Sequence, residues 1–144
     1  MFAQYDPAKL IVIFRTRRIS GFGTGTYVTF EKTQNAFEFE VGGLGDVVRR
    51  RITDESGTVG LTLLQTAPSN GYLTESLALD IRTGRGFGPL LIRDLNGTTV
   101  ASAAIAWVRK SARVELANTV SDREWMIDCA RLRVHVGGGT QVGV

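Results

Sequence analysis

Apolar and polar residues alternate along most of the chain with the two-residue period of β-strands. Several of these runs are also rich in β-branched and aromatic side chains, which fit a pleated, half-buried surface. The strand candidates are residues 9–15, 26–30, 37–41, 58–63, 89–93, 98–109 and 122–136. Within the fourth run, Val59, Leu61 and Leu63 are expected to face the core. The pattern predicts a mainly β protein.

The clearest alternation in the chain lies between Phe37 and Val41. Because successive side chains of a strand point to opposite faces, Phe37 and Phe39 are expected to pack in the core. Glu38 and Glu40 would then face water or a polar lumen. These two carboxylates are the candidates for lumen-facing residues.

The stretch from about residue 42 to 57 is predicted to be an extended loop or hairpin that projects from the domain. It begins with a glycine-rich run, continues through three consecutive arginines and ends in the turn-forming sequence Asp-Glu-Ser-Gly. Flexible backbone and dense charge are typical of a segment that makes its contacts on assembly.

One α-helix is predicted at about residues 70–83. Ser69 or Asn70 can cap its first turn, and Gly84 can end it in a left-handed conformation. A stripe of apolar residues at four-residue spacing would pack on the sheet, namely Leu73, Leu77 and Ile81.

Asn96 and Gly97 lie between two apolar runs, which is a strong short-range sign of a tight hairpin. With the helix inserted between two antiparallel groups of strands, the sum is a small antiparallel β-barrel or sandwich with one flanking helix. No repeat or linker divides the sequence, so we expect a single domain over residues 1–144.

Composition agrees with a folded, water-soluble protein, since 43% of the 144 residues are hydrophobic and 22% are charged. The apolar run at residues 10–14 is too short for a bilayer span or a secretory signal, so we expect neither export nor a membrane anchor. The formal net charge is +3, and 14 of the 17 basic residues are arginines. A guanidinium forms paired contacts at interfaces better than an ammonium does, which slightly favours a protein–protein surface.

Candidate chemistry is sparse. Cys129 and His135 are the only cysteine and histidine, so they form neither an intrachain disulfide nor a structural zinc site, and on one strand they would be too far apart to pair directly. Two glycine-rich segments, at residues 21–25 and 84–88, lack the lysine and the context of a phosphate-binding loop. The sequence predicts no metal, no cofactor and no catalytic residue, and hence no enzyme.

Nucleic-acid binding is the alternative that the residues themselves leave open. Basic clusters occur at residues 15–18 and 49–51, and β-barrels do bind single strands. Neither cluster has aromatic neighbours spaced for base stacking, and Asp54 and Glu55 lie close to the second. Salt-bridging or interface roles are the favoured interpretation of these arginines.

Short motifs are spread over nearly the whole chain, at residues 5–9, 56–70, 95–99, 123–125 and 136–138. Together they resemble a family of structural proteins from contractile-tailed bacteriophages. Each is weak alone, and their order and spacing carry the resemblance. In these motifs the chain looks like the tail tube subunits of such phages, the myoviruses.

The resemblance implies a tail-tube-like protomer whose hexameric rings stack into a hollow tube inside a contractile sheath. Its partners would be further copies of itself, the tail sheath and baseplate proteins, and DNA in non-specific passage through the bore during ejection. The protein would be assembled in the bacterial host cytoplasm and lie in the virion tail, with no membrane contact. A related baseplate or tail-terminator ring protein is the alternative within this class.

By the same analogy, the extended segment would reach a neighbouring ring or subunit. The candidate contact residues are Leu44, Asp46, Arg49, Arg50, Arg51, Asp54 and Glu55. A conduit for DNA should not hold it through phosphate–arginine contacts. We therefore expect the arginine clusters to face ring–ring or sheath contacts, away from the bore.

Overall fold

The computed structural model describes Phe2, residues 4–23 and residues 28–138. The described residues form a mainly β fold with one α-helix, as predicted. The strands are β1 Leu10–Phe14, β2 Arg17–Arg18, β3 Val28–Lys32, β4 Phe37–Val41, β5 Val47–Arg51, β6 Gly57–Leu63, β7 Gly88–Asp94, β8 Val100–Val108, β9 Arg123–Cys129 and β10 Arg133–His135, and the helix is α1 Ser69–Thr83. Parts of two predicted features, at residues 24–25 and 26–27, lie outside the described residues.

One antiparallel sheet contains most of the strands, in the order β2-β1-β7-β8-β9-β6-β3. The first half of the long strand β8 pairs with β10, and its last residues pair with β9. Between β2 and β3 the chain makes isolated backbone bonds, from Ile19 N–H to the Val12 carbonyl at 2.8 Å and from Gly23 N–H to the Thr62 carbonyl at 3.0 Å. Within the described residues the strand ladders therefore stay open, and the sandwich with a flanking helix fits better than a closed barrel.

The core lies on the inner face of this curved sheet. Val59, Leu61 and Leu63 of β6 are buried as predicted. On the paired strand β9, Trp125 and Ile127 are buried opposite Leu61 and Val59. Each such side chain contributes about 1.5–3 kcal/mol when fully removed from water, so these central strands stabilise the fold.

Helix α1 ends as predicted, with Gly84 in the left-handed region at φ 71°. The predicted cap at its start is wrong, because Pro68 occupies that position and no side chain makes a capping hydrogen bond. The side chains of Ser69 and Asn70 bind elsewhere. Ser69 Oγ accepts the Ser20 N–H at 3.0 Å, and Asn70 Nδ2 donates to the Leu64 carbonyl at 2.8 Å.

The prediction that the apolar stripe on α1 packs on the sheet is only partly correct. Leu73 is fully buried, whereas Ile81 is 79% exposed. Beyond Gly84 the chain folds back, and Gly86 lies against Ser76 and Asp80. The returning chain therefore covers the side of the last helical turns that carries Ser76 and Asp80. Ile81 lies on another side and remains in solvent.

The hairpin predicted around Asn96 is present, with β7 and β8 paired antiparallel. Its loop is longer than a two-residue turn, since the Asp94 N–H donates to the Thr99 carbonyl across it. Asn96 uses its side chain to hold the start of the chain, accepting the Asp6 N–H at 2.9 Å and donating to the Asp6 carbonyl at 2.8 Å. Two motifs that carry the resemblance thus meet in space and stabilise the fold.

A similar contact joins two other motifs. Trp125 Nε1 donates to Asn70 Oδ1 at 2.9 Å, which connects β9 to the first turn of α1. A buried indole N–H that lost its acceptor would cost about 1–3 kcal/mol. The architecture therefore accounts for Asn70 and Trp125 in these motifs.

We predict opposite effects for two glycine-to-alanine changes. A Cβ on Gly57 would lie 2.8 Å from the Glu31 carbonyl oxygen and from Leu132 Cβ, so Gly57→Ala should destabilise the protein by roughly 1–3 kcal/mol. Gly71 lies in α1 with nothing within 4 Å of such a Cβ, so Gly71→Ala should stabilise it by about 0.5 kcal/mol. Denaturant unfolding measures both, and a neutral Gly57→Ala would contradict the close packing at β6.

Candidate assembly surfaces

Strands β4 and β5 form a hairpin that stands apart from the main sheet. They pair with each other from Phe37↔Arg51 to Val41↔Val47, and with no other described strand. We call Phe37–Arg51 the projecting hairpin. The predicted projection at 42–57 is thus present but starts earlier, at Phe37.

The prediction that Phe37 and Phe39 pack in the core is wrong. Both are exposed, Phe39 to 70%. The alternation is real, but β4 has only β5 as a neighbour, so neither of its faces lies on the core. The same amphipathic pattern that fits a core strand here produces an apolar face directed outward.

Cross-strand pairing assigns the side chains of the hairpin to two faces, because directly opposite residues point the same way. One face carries Phe37, Phe39, Val41, Val47, Arg49 and Arg51, and the other carries Glu38, Glu40, Val48 and Arg50. On the first face, the Arg49 guanidinium lies 4.0 Å from the centre of the Phe37 ring. An isolated two-stranded hairpin is at best marginally stable in water, so this exposed apolar face favours a partner.

Glu55 anchors the base of the hairpin to the main sheet. Its carboxylate contacts Arg131 Nε at 2.6 Å and Arg51 at 3.5 Å, and its backbone carbonyl accepts the N–H of the buried Leu132 at 2.9 Å. The backbone bond from Ile52 N–H to the Ala36 carbonyl, at 2.9 Å, closes the hairpin beside it. The orientation of the projection is therefore set by the folded domain.

The predicted contact residues are spread along the hairpin and its base. Leu44, which is 97% exposed, lies with Asp46 in the turn at the tip. The three arginines follow on β5, and Asp54 and Glu55 lie at the base. Their role in contacts between subunits remains a prediction.

Individual partners explain some of these charges within one protomer. Arg50 pairs with Glu38 at 2.6 Å, and Arg51 and Arg49 have the contacts given above. Asp54 Oδ1 accepts the Ser56 N–H at 2.9 Å, and hydrogen bonds from Ser56 lower the pKa of the Asp54 carboxyl. The salt-bridging interpretation therefore has direct support at Arg50 and Arg51, whereas Arg49 contacts an aromatic ring.

Glu38 and Glu40 lie on the same face of the hairpin, with Glu38 paired to Arg50. The aromatic face opposite them is exposed, so they do not lie opposite a buried face as predicted. Whether they line a lumen stays a prediction.

The first basic cluster lies against the helix. Arg15, with φ 62°, donates from its guanidinium to Ser76 Oγ at 3.0 Å, and the Arg17 guanidinium lies 5.1 Å from the centre of the Tyr72 ring. These arginines contribute to packing between the sheet edge and α1.

A groove that the sequence did not predict lies on the outer face of the main sheet and has a volume of about 740 Å³. Its floor contains Ile13, Leu91 and Ile105, of which Leu91 is 37% and Ile105 46% exposed. Arg15, Arg131 and Arg133 line it as well. The signal was present as apolar residues on the outward positions of β1, β7 and β8, but strand periodicity alone does not distinguish them from loosely covered surface.

A second exposed segment was also missed. It joins β8 to β9 over residues 109–122 and exposes Val114, Leu116 and Val120. Hydrogen bonds hold its end, from Ser121 N–H to Gln65 Oε1 at 3.2 Å and from Ser121 Oγ to the Glu115 carbonyl at 3.1 Å.

Cys129 and His135 lie on different strands, because β9 ends at Cys129 and β10 begins at Arg133. Cys129 is buried and His135 is exposed. Burial raises the pKa of the Cys129 thiol to about 11, and the neighbouring Asp128 carboxylate adds to the shift. Among residues 28–138 and the described part before them, no three His, Cys, Asp or Glu side chains are grouped to hold a metal ion.

No helix in the described part of the chain is both long and apolar enough to cross a membrane.

Comparisons with known proteins find the fold but no family. Neither protein-family models nor curated proteins match the chain. The tube-terminating cap of the anti-feeding prophage matches with a TM-score of 0.62 and 9% identity, covering 94% of this chain and 93% of that one. The PVC sheath/tube terminator of an extracellular contractile injection system, in its extended state, matches with a TM-score of 0.61 and 13% identity, covering 92% and 97%.

At these identities the likeness establishes the fold. Both neighbours are components of contractile injection assemblies, the class that the sequence resemblance indicates, but both are terminators or caps and neither is a tube subunit. The match spans nearly the full length of each chain.

We predict that the domain folds without the projecting hairpin. None of its residues is buried, and Ala36 and Ile52 are already joined by a backbone hydrogen bond. Replacing Phe37–Arg51 by Asn-Gly should therefore change the free energy of unfolding by less than about 1 kcal/mol. Circular dichroism and denaturant unfolding test this, and loss of a cooperative transition would show that the hairpin is part of the core.

We predict that Cys129 makes stability depend on alkaline pH. The unfolded thiol ionises near a pKa of about 8.5, whereas the folded thiol ionises near about 11. Its stabilising contribution is thus complete below about pH 8.5 and lost as pH rises towards 11. The stability difference between the wild type and Cys129→Ala should shrink between about pH 7 and about pH 10, as measured by urea unfolding, and a constant difference would contradict the shift.

Proposed function

We propose that the chain is a ring-forming structural subunit of a contractile tail or injection apparatus, without catalytic activity, and that its ring ends the tube. The fold shared with two terminator or cap proteins supports this position. The observation that carries the proposal is the projecting hairpin, whose apolar face has no cover in the protomer. A second copy in a ring would provide that cover.

Unpaired sheet edges support the same proposal. Among the described strands, β2 and β3 end the main sheet with one neighbour each, and β4 and β5 each have only the other. Exposed edges invite uncontrolled pairing unless they are covered. Ring closure between identical subunits covers such edges in a defined way.

Several finer features of the proposal come from the sequence resemblance. The ring would be a hexamer that contacts sheath proteins, with the baseplate as a further partner of the assembly. DNA would pass through its bore, lined in part by Glu38 and Glu40, and the protein would lie in the virion tail after assembly in the host cytoplasm. The contact residues from Leu44 to Glu55 would join neighbouring subunits.

A tail tube subunit is the second candidate, and the resemblance of the sequence motifs to those of tube proteins favours it. The two candidates differ in what a ring does next. A tube subunit stacks without limit, whereas a terminator presents one ring face that does not accept a further identical ring.

Electron microscopy of the purified protein at rising concentration tests the proposal and separates the candidates. We expect rings of uniform diameter that do not lengthen into tubes. The variant with Phe37–Arg51 replaced by Asn-Gly serves as the control and should stay monomeric. Long tubes would indicate a tube subunit, and a wild type that remains monomeric at high concentration would overturn the assembly role.

A further inference from the structure

We propose that the tip of the projecting hairpin binds in the groove on the outer sheet face of a second copy of this chain. The inference rests on the ring proposed above and names the two surfaces that would form its repeating contact. We define the hairpin tip as Phe39–Val48, and the outer groove by Ile13, Arg15, Leu91, Ile105, Arg131 and Arg133.

The two surfaces match in apolar content. The tip exposes large apolar side chains on both sides of its turn: Phe39, Val41, Leu44, Val47 and Val48. The floor of the outer groove consists of partly exposed Ile13, Leu91 and Ile105. Burying apolar area against apolar area gains about 25 cal/mol per Å², which neither surface obtains within one protomer.

The charges of the two surfaces are opposite. Asp46 lies in the turn at the tip, and it is the carboxylate that can enter the groove with Phe39, Val41 and Val47, because Glu40 lies on the opposite face of the hairpin. The residues that line the groove include three arginines and no acidic side chain. Pairing of a negative tip with a positive groove steers association and fixes its register.

The existing partner of Arg131 does not prevent this contact. Arg131 Nε pairs with Glu55 at 2.6 Å, but a guanidinium has five N–H donors and can hold a second carboxylate. Arg133 lies on β10 with its side chain exposed. The two arginines thus offer several N–H donors to a carboxylate that enters the groove.

A second copy is the occupant that fits, because the hairpin does not line the groove of its own protomer. The tip and the groove are different surfaces of one chain. Contact between unlike surfaces repeats head to tail and closes into a ring when the rotation permits. Arg49 is the cross-strand partner of Phe39 and shares its face, but its guanidinium lies 4.0 Å from the centre of the Phe37 ring, towards the base of the hairpin.

Charge reversal tests the pairing. Asp46→Arg should weaken self-association about tenfold, because it places a cation against the groove arginines. Arg133→Glu should weaken it as well, and the double variant Asp46→Arg/Arg133→Glu should recover most of the affinity. Sedimentation velocity measures association, and circular dichroism confirms that each variant is folded.

Arg113→Glu provides the matched control, because it makes the same change of charge in the exposed segment between β8 and β9. Combined with Asp46→Arg, it should fail to restore association. Recovery with Arg133→Glu but not with Arg113→Glu supports the tip-to-groove contact. Equal recovery with both would overturn it, since net charge alone would then explain the effect.

Other outcomes separate this inference from the proposed function. If rings form normally in Asp46→Arg and Arg133→Glu, the tip-to-groove contact is wrong while the ring survives. A wild type that never associates overturns both. If rings persist but Arg133→Glu abolishes retention of a single-stranded oligonucleotide at low salt, the groove is a nucleic-acid site and the inference fails.

Discussion

The exposed apolar face of the projecting hairpin is the constraint on which the rest of this molecule depends. A two-stranded ribbon gains little from its own pairing, and the Arg49 guanidinium over the Phe37 ring covers only part of this face. Large side chains such as Phe39 remain in water. A protein that keeps this arrangement either tolerates the unfavourable exposure or removes it on association, and the ring proposed above would remove it.

The main sheet supports the hairpin without covering it. Polar side chains hold the domain at its junctions, with Asn96 binding the N-terminal segment and Asn70 joining the helix to Trp125. Glu55 does the same at the base of the hairpin through Arg131 and the Leu132 N–H. Because these contacts are internal, the protomer can fold first and present a hairpin of fixed direction to a neighbour. Preorganisation of this kind lowers the entropy cost of association.

Strand periodicity predicted the elements better than it predicted their neighbours. The buried face of β6 and the end of α1 at Gly84 depend on local chemistry, and both could be read from the sequence. The pattern from Phe37 to Val41 looks the same whether its aromatic face meets a core or another molecule, so its exposure could not be predicted. Ile81 is exposed for a related reason, since the return of the chain at Gly86 decides which side of the helix is covered. The groove requires β1, β7 and β8 to be adjacent, which is a property of the topology.

A contact between unlike surfaces also has a direction, and this determines what kind of assembly can follow. Tip-to-groove pairing repeats with one rotation per subunit, and it closes only if a whole number of rotations completes a turn. Once it closes, every tip and every groove is occupied, so growth in that direction ends. Further growth then needs a separate surface, for which the exposed segment around Val114, Leu116 and Val120 is available. In the proposed ring, separation of these two surfaces on one small domain would allow ring formation and attachment to neighbouring components to vary independently.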